Sequence, residues 1–333
     1  MNSRSVLRTF VGCFLVVALA VAFIAGPAAA AKKIRVAIGN NGPINDNGWY
    51  EGGYRGALML KKDPGVDEVT TQDRIKRADL ERSLRRWALA GYNLIFGHGY
   101  EWGEPMLKVA KDFPDTIFAA AGFYNTKGRP NVVTYMVLSH ETGYLGGVLA
   151  TLMSKTKKIG VIGGFPVPGV MSEHNGYKLG ARSVDPNVKI LSVFINDWMD
   201  VSKAKEAAFA MIEQGVDVIQ VTSSPMGFGG IKGAEEKGKF AIGCFMDLNR
   251  MAPDTVISSS VFIWHAAMRK IVLDMKKGKV EKLYLVGIPN GGAVLAPFNK
   301  KVSPEIARRV RAVEKDIKSG KLKVPYLDKK LID

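Results

Sequence analysis

The feature that most constrains the fold is a repeated alternation of short, β-rich apolar runs with amphipathic helical stretches. Strand-like runs at residues 34–39, 68–71, 94–96 and 117–121 alternate with helical patterns at 48–62, 80–90 and 104–112. Continuous apolar runs suit strands buried on both faces, and the intervening helices supply the cover. That order predicts a doubly wound parallel sheet. A second series follows, with helices at 140–155, 172–184, 203–214 and 230–237 and strands at 159–163, 189–195 and 216–222. The chain therefore reads as an α/β protein of two similar units in tandem. Segments 240–245, 256–261, 264–276 and 283–287 are too few for a third unit and are expected to return to one sheet or the other. We assign 32–138 with 248–281 to a first lobe, and 139–247 with 282–333 to a second. Two lobes joined by crossovers form a clamshell whose strand carboxyl ends face a central cleft, where a ligand binds.

The first 31 residues carry a different message. Arg4 and Arg8 precede an apolar run over 9–25, then Gly26 and Pro27, then the small residues 28–31. A basic start, a short apolar stretch and an A-x-A site predict a secretory signal peptide cleaved near Ala30 and Ala31, and hence a periplasmic protein. Cys13 precedes most of the apolar run, which does not fit a lipid-anchor site. Beyond the leader only Cys244 remains, so no internal disulfide can form. The net charge of +16 falls to +14 there, since 45 basic residues face 31 acidic ones. Basic residues at 74–86 interleave with Leu80, Leu84 and Trp87 at helical spacing, which describes a solvated helix face. We therefore expect no nucleic-acid partner.

Two glycine patterns, Gly227-Phe-Gly229 through Gly233 and Gly97-His-Gly99 through Gly103, resemble dinucleotide fingerprints at strand-to-helix turns. Glycine is wanted at such turns for backbone reasons, and an exported chain meets no nicotinamide cofactor. No cofactor is expected. The four histidines, His98, His140, His174 and His265, show no metal-ligand spacing, and Ser223 and Ser224 have no sequence-visible base, so no enzyme is motivated. An exported hydrolase acting on a nucleoside is the alternative.

Aromatic residues recur just after predicted strands. Trp49 follows the first strand, Tyr100 and Trp102 the third; Phe165, Trp198 and Trp264 follow later ones. In a clamshell these ends converge, and flat faces from two lobes can sandwich a planar ring, at about 1–3 kcal/mol per stacked base. Asp46, Asn175, Asn196, Asp197 and Asp247 lie beside them and can hydrogen-bond ring nitrogens or hydroxyls. Asp46 and Asn196 equally suit helix caps.

These residues resemble the basic membrane protein family of ABC-transporter substrate-binding proteins. The resemblance is carried by Gly-Pro-Ile-Asn-Asp-Asn-Gly-Trp at 42–49, Ala-Gly-Tyr-Asn-Leu-Ile-Phe-Gly at 90–97 and Tyr-Leu-Gly-Gly at 144–147. It continues through 158–168, 179–186, 196–200 and 234–243. It implies a type I periplasmic-binding fold that closes on a purine nucleoside or nucleobase and delivers it to the permease as a monomer. It also implies ring stacking by Trp49 and Trp198, an acidic contact at Asp46, a ribose carboxylate at Asp247 and a glycine turn at Gly227 near the sugar. Nucleoside-binding members carry a lysine after the late serine-rich strand; here 258–265 reads Ser-Ser-Ser-Val-Phe-Ile-Trp-His. That departure matches a shorter, tryptophan-containing subgroup and makes a free base an alternative to the nucleoside.

Overall fold

The computed structural model describes residues 33–329. The signal-peptide reading falls outside them. Among the described residues no helix is long and apolar enough to cross a membrane.

The first lobe begins with β1 (Ile34–Asn40), α1 (Trp49–Met59), β2 (Val66–Gln72), α2 (Leu80–Leu89) and β3 (Leu94–His98). It continues with α3 (Gly103–Val109), β4 (Ile117–Ala121) and β5 (Val132–Val137). The second contains α4 (His140–Met153), β6 (Lys158–Gly163), α5 (Pro168–Val184), β7 (Lys189–Phe194), α6 (Val201–Glu213) and β8 (Val218–Val221). Then come α7 (Gly227–Glu236), β9 (Phe240–Phe245), β10 (Val256–Phe262), α8 (Trp264–Lys276), β11 (Leu283–Val286), β12 (Ala293–Leu295) and α9 (Pro304–Lys318). Two six-stranded sheets result, ordered β11-β5-β4-β3-β1-β2 and β12-β10-β9-β8-β6-β7. All pairings are parallel except β10 with β12. The expected two-lobed α/β architecture is what the chain adopts.

The late segments are exchanged relative to the sequence-based assignment. Strand β10, placed in the first lobe by sequence, pairs with β9 of the second, from Val256 opposite Ala241 to Val261 opposite Phe245. Strand β11, placed in the second lobe, pairs with β5 of the first. Helix α8 then packs on α1, so it does belong to the first lobe. The chain crosses between lobes near Leu138, at Ile263 and again at Gly287–Asn290. Both β10 and β11 are short apolar runs, and composition cannot say which sheet has the open edge to receive each. Strands β5 and β12 were not anticipated at all; β12 has only three residues.

Burial explains the rest. Strand β1 is covered on both faces: Val36 and Ile38 join the cluster that includes Ala57 of α1, and Ala37 joins Leu80, Leu84 and Trp87 of α2. The opposite face of α2 carries the basic cluster, where Arg82 pairs with Asp79 and Arg85 with Asp112. Helices α4 and α5 pack so closely that a Cβ at Gly147 or Gly180 would meet the carbonyl of Tyr177 or Tyr144 on the other helix. Glycine is needed there because backbone, which cannot yield, occupies the space.

Candidate functional site

A cavity of about 260 Å³ lies between the lobes. Its wall comes almost entirely from strand carboxyl ends and the turns after them. The first lobe supplies Trp49, Tyr50, Tyr100, Glu101, Met136 and Ser139; the second supplies the start of α5, Trp198, Met199, residues 222–224, Phe245 and Phe262. Placement at the carboxyl edge is dictated by the parallel topology, which brings every β-to-α turn to the same side.

Trp49 is held from behind. The His98 ring lies 4.8 Å from the Trp49 ring at 30°, and its Nε2–H donates to the Trp49 carbonyl at 3.0 Å. His98 Nδ1 accepts from the Tyr135 hydroxyl at 2.9 Å. Burial lowers the His98 pKa to about 3, so the ring is neutral and that single tautomer satisfies both bonds. Trp264 packs edge-on against Trp49 at 4.8 Å and against His98 at 4.5 Å. It is therefore a buttress behind the wall, and does not line the cavity.

Asp46 accepts from the backbone amides of Gly48, Tyr50 and Glu51 at 3.0, 3.1 and 2.8 Å. Burial pushes its carboxyl above the ordinary range while those three donors pull the other way. The residue shapes the turn that presents Trp49 and Tyr50 and stands outside the wall. Tyr50 and Tyr100 do line it, and burial pushes both phenols up to about 12, with Glu101 and Asp46 adding at Tyr50. Both remain hydrogen-bond donors at neutral pH.

On the second lobe, Trp198 reaches the wall with Phe165 packed behind it, ring centroids 5.0 Å apart. Thr222 receives support from His174 Nε2 at 3.0 Å, and His174 Nδ1 meets Ser192 Oγ at 2.9 Å. The histidine ring is stacked on Phe194 at 4.3 Å, and burial lowers its pKa to about 3.

The remaining sequence-predicted residues lie elsewhere. Asn175 is buried and its Nδ2 donates to the carbonyls of Leu327 and Lys329, both at 2.7 Å, so it clamps the C-terminal segment. Gly227 opens α7 against Val221, with Ser223 and Ser224 just upstream taking the wall positions. Asp247 is exposed and accepts from the Asn249 amide at 3.0 Å. Of the nine predicted residues the cavity thus brings together Trp49, Tyr100 and Trp198, with Trp264, Phe165 and Asp46 supporting them from outside.

Sequence reasoning missed Glu173, Phe245 and Phe262. Phe245 and Phe262 end their strands, the same signal that marked the tryptophans. Glu173 lies inside a helix, where a glutamate carries no positional signal.

Among the described residues no group of acidic, histidine or cysteine side chains could hold a metal ion. The arrangement offers instead flat apolar faces from two lobes with hydroxyl donors between them, suited to reversible capture of a small cyclic ligand.

Comparison with known proteins agrees. A purine-binding protein of Brucella abortus is 35% identical over 315 residues, covering 92% of this chain and 88% of its own. Basic membrane protein D of Borreliella burgdorferi is 26% identical, covering 86% of each chain. A solved ABC-transporter solute-binding protein from Conexibacter woesei superposes with a TM-score of 0.73 at 26% identity, covering 88% of this chain and 99% of that one. Residues 33–328 match the family described as ABC transporter substrate-binding protein PnrA-like, and the chain belongs to that family of substrate-binding proteins.

Proposed function

We propose that this substrate-binding protein captures a purine nucleobase or nucleoside in the periplasm and, as a monomer, hands it to its permease. The observation that carries the reading is the pair Trp49 and Trp198, delivered to one cavity wall by opposite lobes. A cavity of about 260 Å³ is at the small end for ligand sites, which suits one or two fused rings. The similarity to a purine-binding relative supports the same ligand class. Ligand contacts on both lobes favour the closed state, the form a permease can distinguish from the open one.

The test is a titration followed by tryptophan fluorescence and thermal shift, using adenine, hypoxanthine, adenosine, inosine and guanosine. Binding of at least one with quenching is expected; absence of both signals with all five would sink the purine reading. The same titration separates base from nucleoside: tighter binding of adenine and hypoxanthine than of adenosine and inosine identifies a base site, and the reverse order a nucleoside site. Size-exclusion chromatography with light scattering reads the monomer assignment directly.

A further inference from the structure

The cavity wall includes two carboxyl groups of opposite character. Glu101 is exposed, while Glu173, in the second turn of α5, is only 2% exposed. The partners of Glu173 are neutral. Gln220 Nε2 donates to its Oε1 at 3.1 Å, which marks that atom as the carbonyl-like oxygen. Ser139 approaches the carboxyl too, and its own hydroxyl proton is directed to the Gly169 carbonyl at 3.1 Å. The titratable groups packed around it bring no compensating charge. Cys244 on β9 is a buried thiol, His174 and His140 are held neutral by burial, and Lys178, farther along α5, acts on His174. Among the described residues Gln220 and Ser139 are the groups that bond the carboxyl and neither is charged, while burial drives Glu173 towards the neutral acid.

Resting on the purine reading, we propose that Glu173 binds as an uncharged carboxylic acid that donates its O–H to an acceptor atom of the ligand, a ring nitrogen or carbonyl oxygen. This makes Glu173 a specificity-determining residue: it favours rings presenting a lone pair and disfavours those presenting an N–H there. Gln220 fixes which oxygen is the acceptor, so the proton sits on the other, shared between Ser139 Oγ and the ligand.

The experiment combines three readings on the full chain. Calorimetry of wild-type protein with adenine and hypoxanthine, in buffers of different ionisation enthalpy at pH 6–8, should show little net proton exchange; uptake or release approaching one proton per ligand overturns the proposal. Glu173→Gln keeps an N–H donor and should bind within about threefold of wild type, whereas Glu173→Ala should lose about tenfold. A Glu173→Gln variant that melts normally yet binds as poorly as Glu173→Ala identifies an acceptor instead. In a series of 1-, 3- and 7-deazaadenine, one analogue should lose about tenfold on wild type but under about threefold on Glu173→Ala. Equal losses on both proteins overturn the contact. If wild type binds no purine at all, it is the ligand class that has failed, a result recognisable before any variant is made.

Discussion

The backbone amide of Trp49 donates to the hydroxyl of Ser224 at 3.1 Å, so the first residue of α1 is bonded directly to the opposite lobe. The bond lies beside the cavity and exists only when the lobes are together. It makes closure sensitive to single atoms.

Ser224→Ala removes the acceptor, and a hydrogen bond of this kind contributes about 0.5–1.5 kcal/mol. Affinity should fall about two- to tenfold, read by calorimetry. Gly48→Ala should act more strongly, because its Cβ would collide with the Ser224 side chain. Small-angle scattering with ligand should show Gly48→Ala remaining open. Normal closure in both variants would remove this contact from the closing mechanism.

Trp198→Ala should weaken binding about tenfold or more, the loss of roughly one stacked face. Phe165→Ala should cost less, about threefold, because Phe165 only backs the Trp198 ring. An unchanged affinity in Phe165→Ala would mean that Trp198 is fixed by other contacts.

Acid should destabilise the fold through its buried histidines. The pKa values of His98 and His174 are lowered by burial to about 3, below the unfolded value near 6.5. Their contribution is therefore complete above pH 6.5 and lost as pH falls from there towards 3. Each costs up to about 1.4 kcal/mol per pH unit across that window. Melting temperature should drop steadily between pH 6.5 and 4, and less steeply in a His98→Asn, His174→Asn double variant. An identical slope in the variant would assign acid sensitivity to other groups.

Asn175→Ala should release the C-terminal segment, since one amide holds both Leu327 and Lys329. Hydrogen exchange should quicken in residues 324–329 while affinity for the ligand changes by less than about twofold. A large loss of affinity would return Asn175 to the site, where the sequence groups it with the strand-end aromatics.

Much of the fold was legible because parallel strands buried on both faces write themselves as apolar runs, as at β1, β3 and β6. The cavity was partly legible for a related reason: the topology sends every strand end to one edge, so Trp49 and Trp198 could be placed there without coordinates. Sheet membership of β10 and β11 was not, because the choice depends on which edge is open after the earlier strands have paired. Asp46 and Asn175 were misplaced by the same limit. Their side chains can cap a turn or clamp a chain as readily as they can touch a ligand, and only packing decides. Glu173 was invisible since its meaning comes from Gln220 and Ser139, residues 47 and 34 positions away.

The exchange of late strands couples the two lobes during synthesis as well as in the finished molecule. Residues 283–295 supply one edge strand to each sheet, β11 to the first and β12 to the second. A nascent chain that has reached β10 has neither half complete, and both gain their last strand within about a dozen residues of each other. The lobes should consequently mature together, late and as a pair, leaving the emerging chain pliable for most of its length.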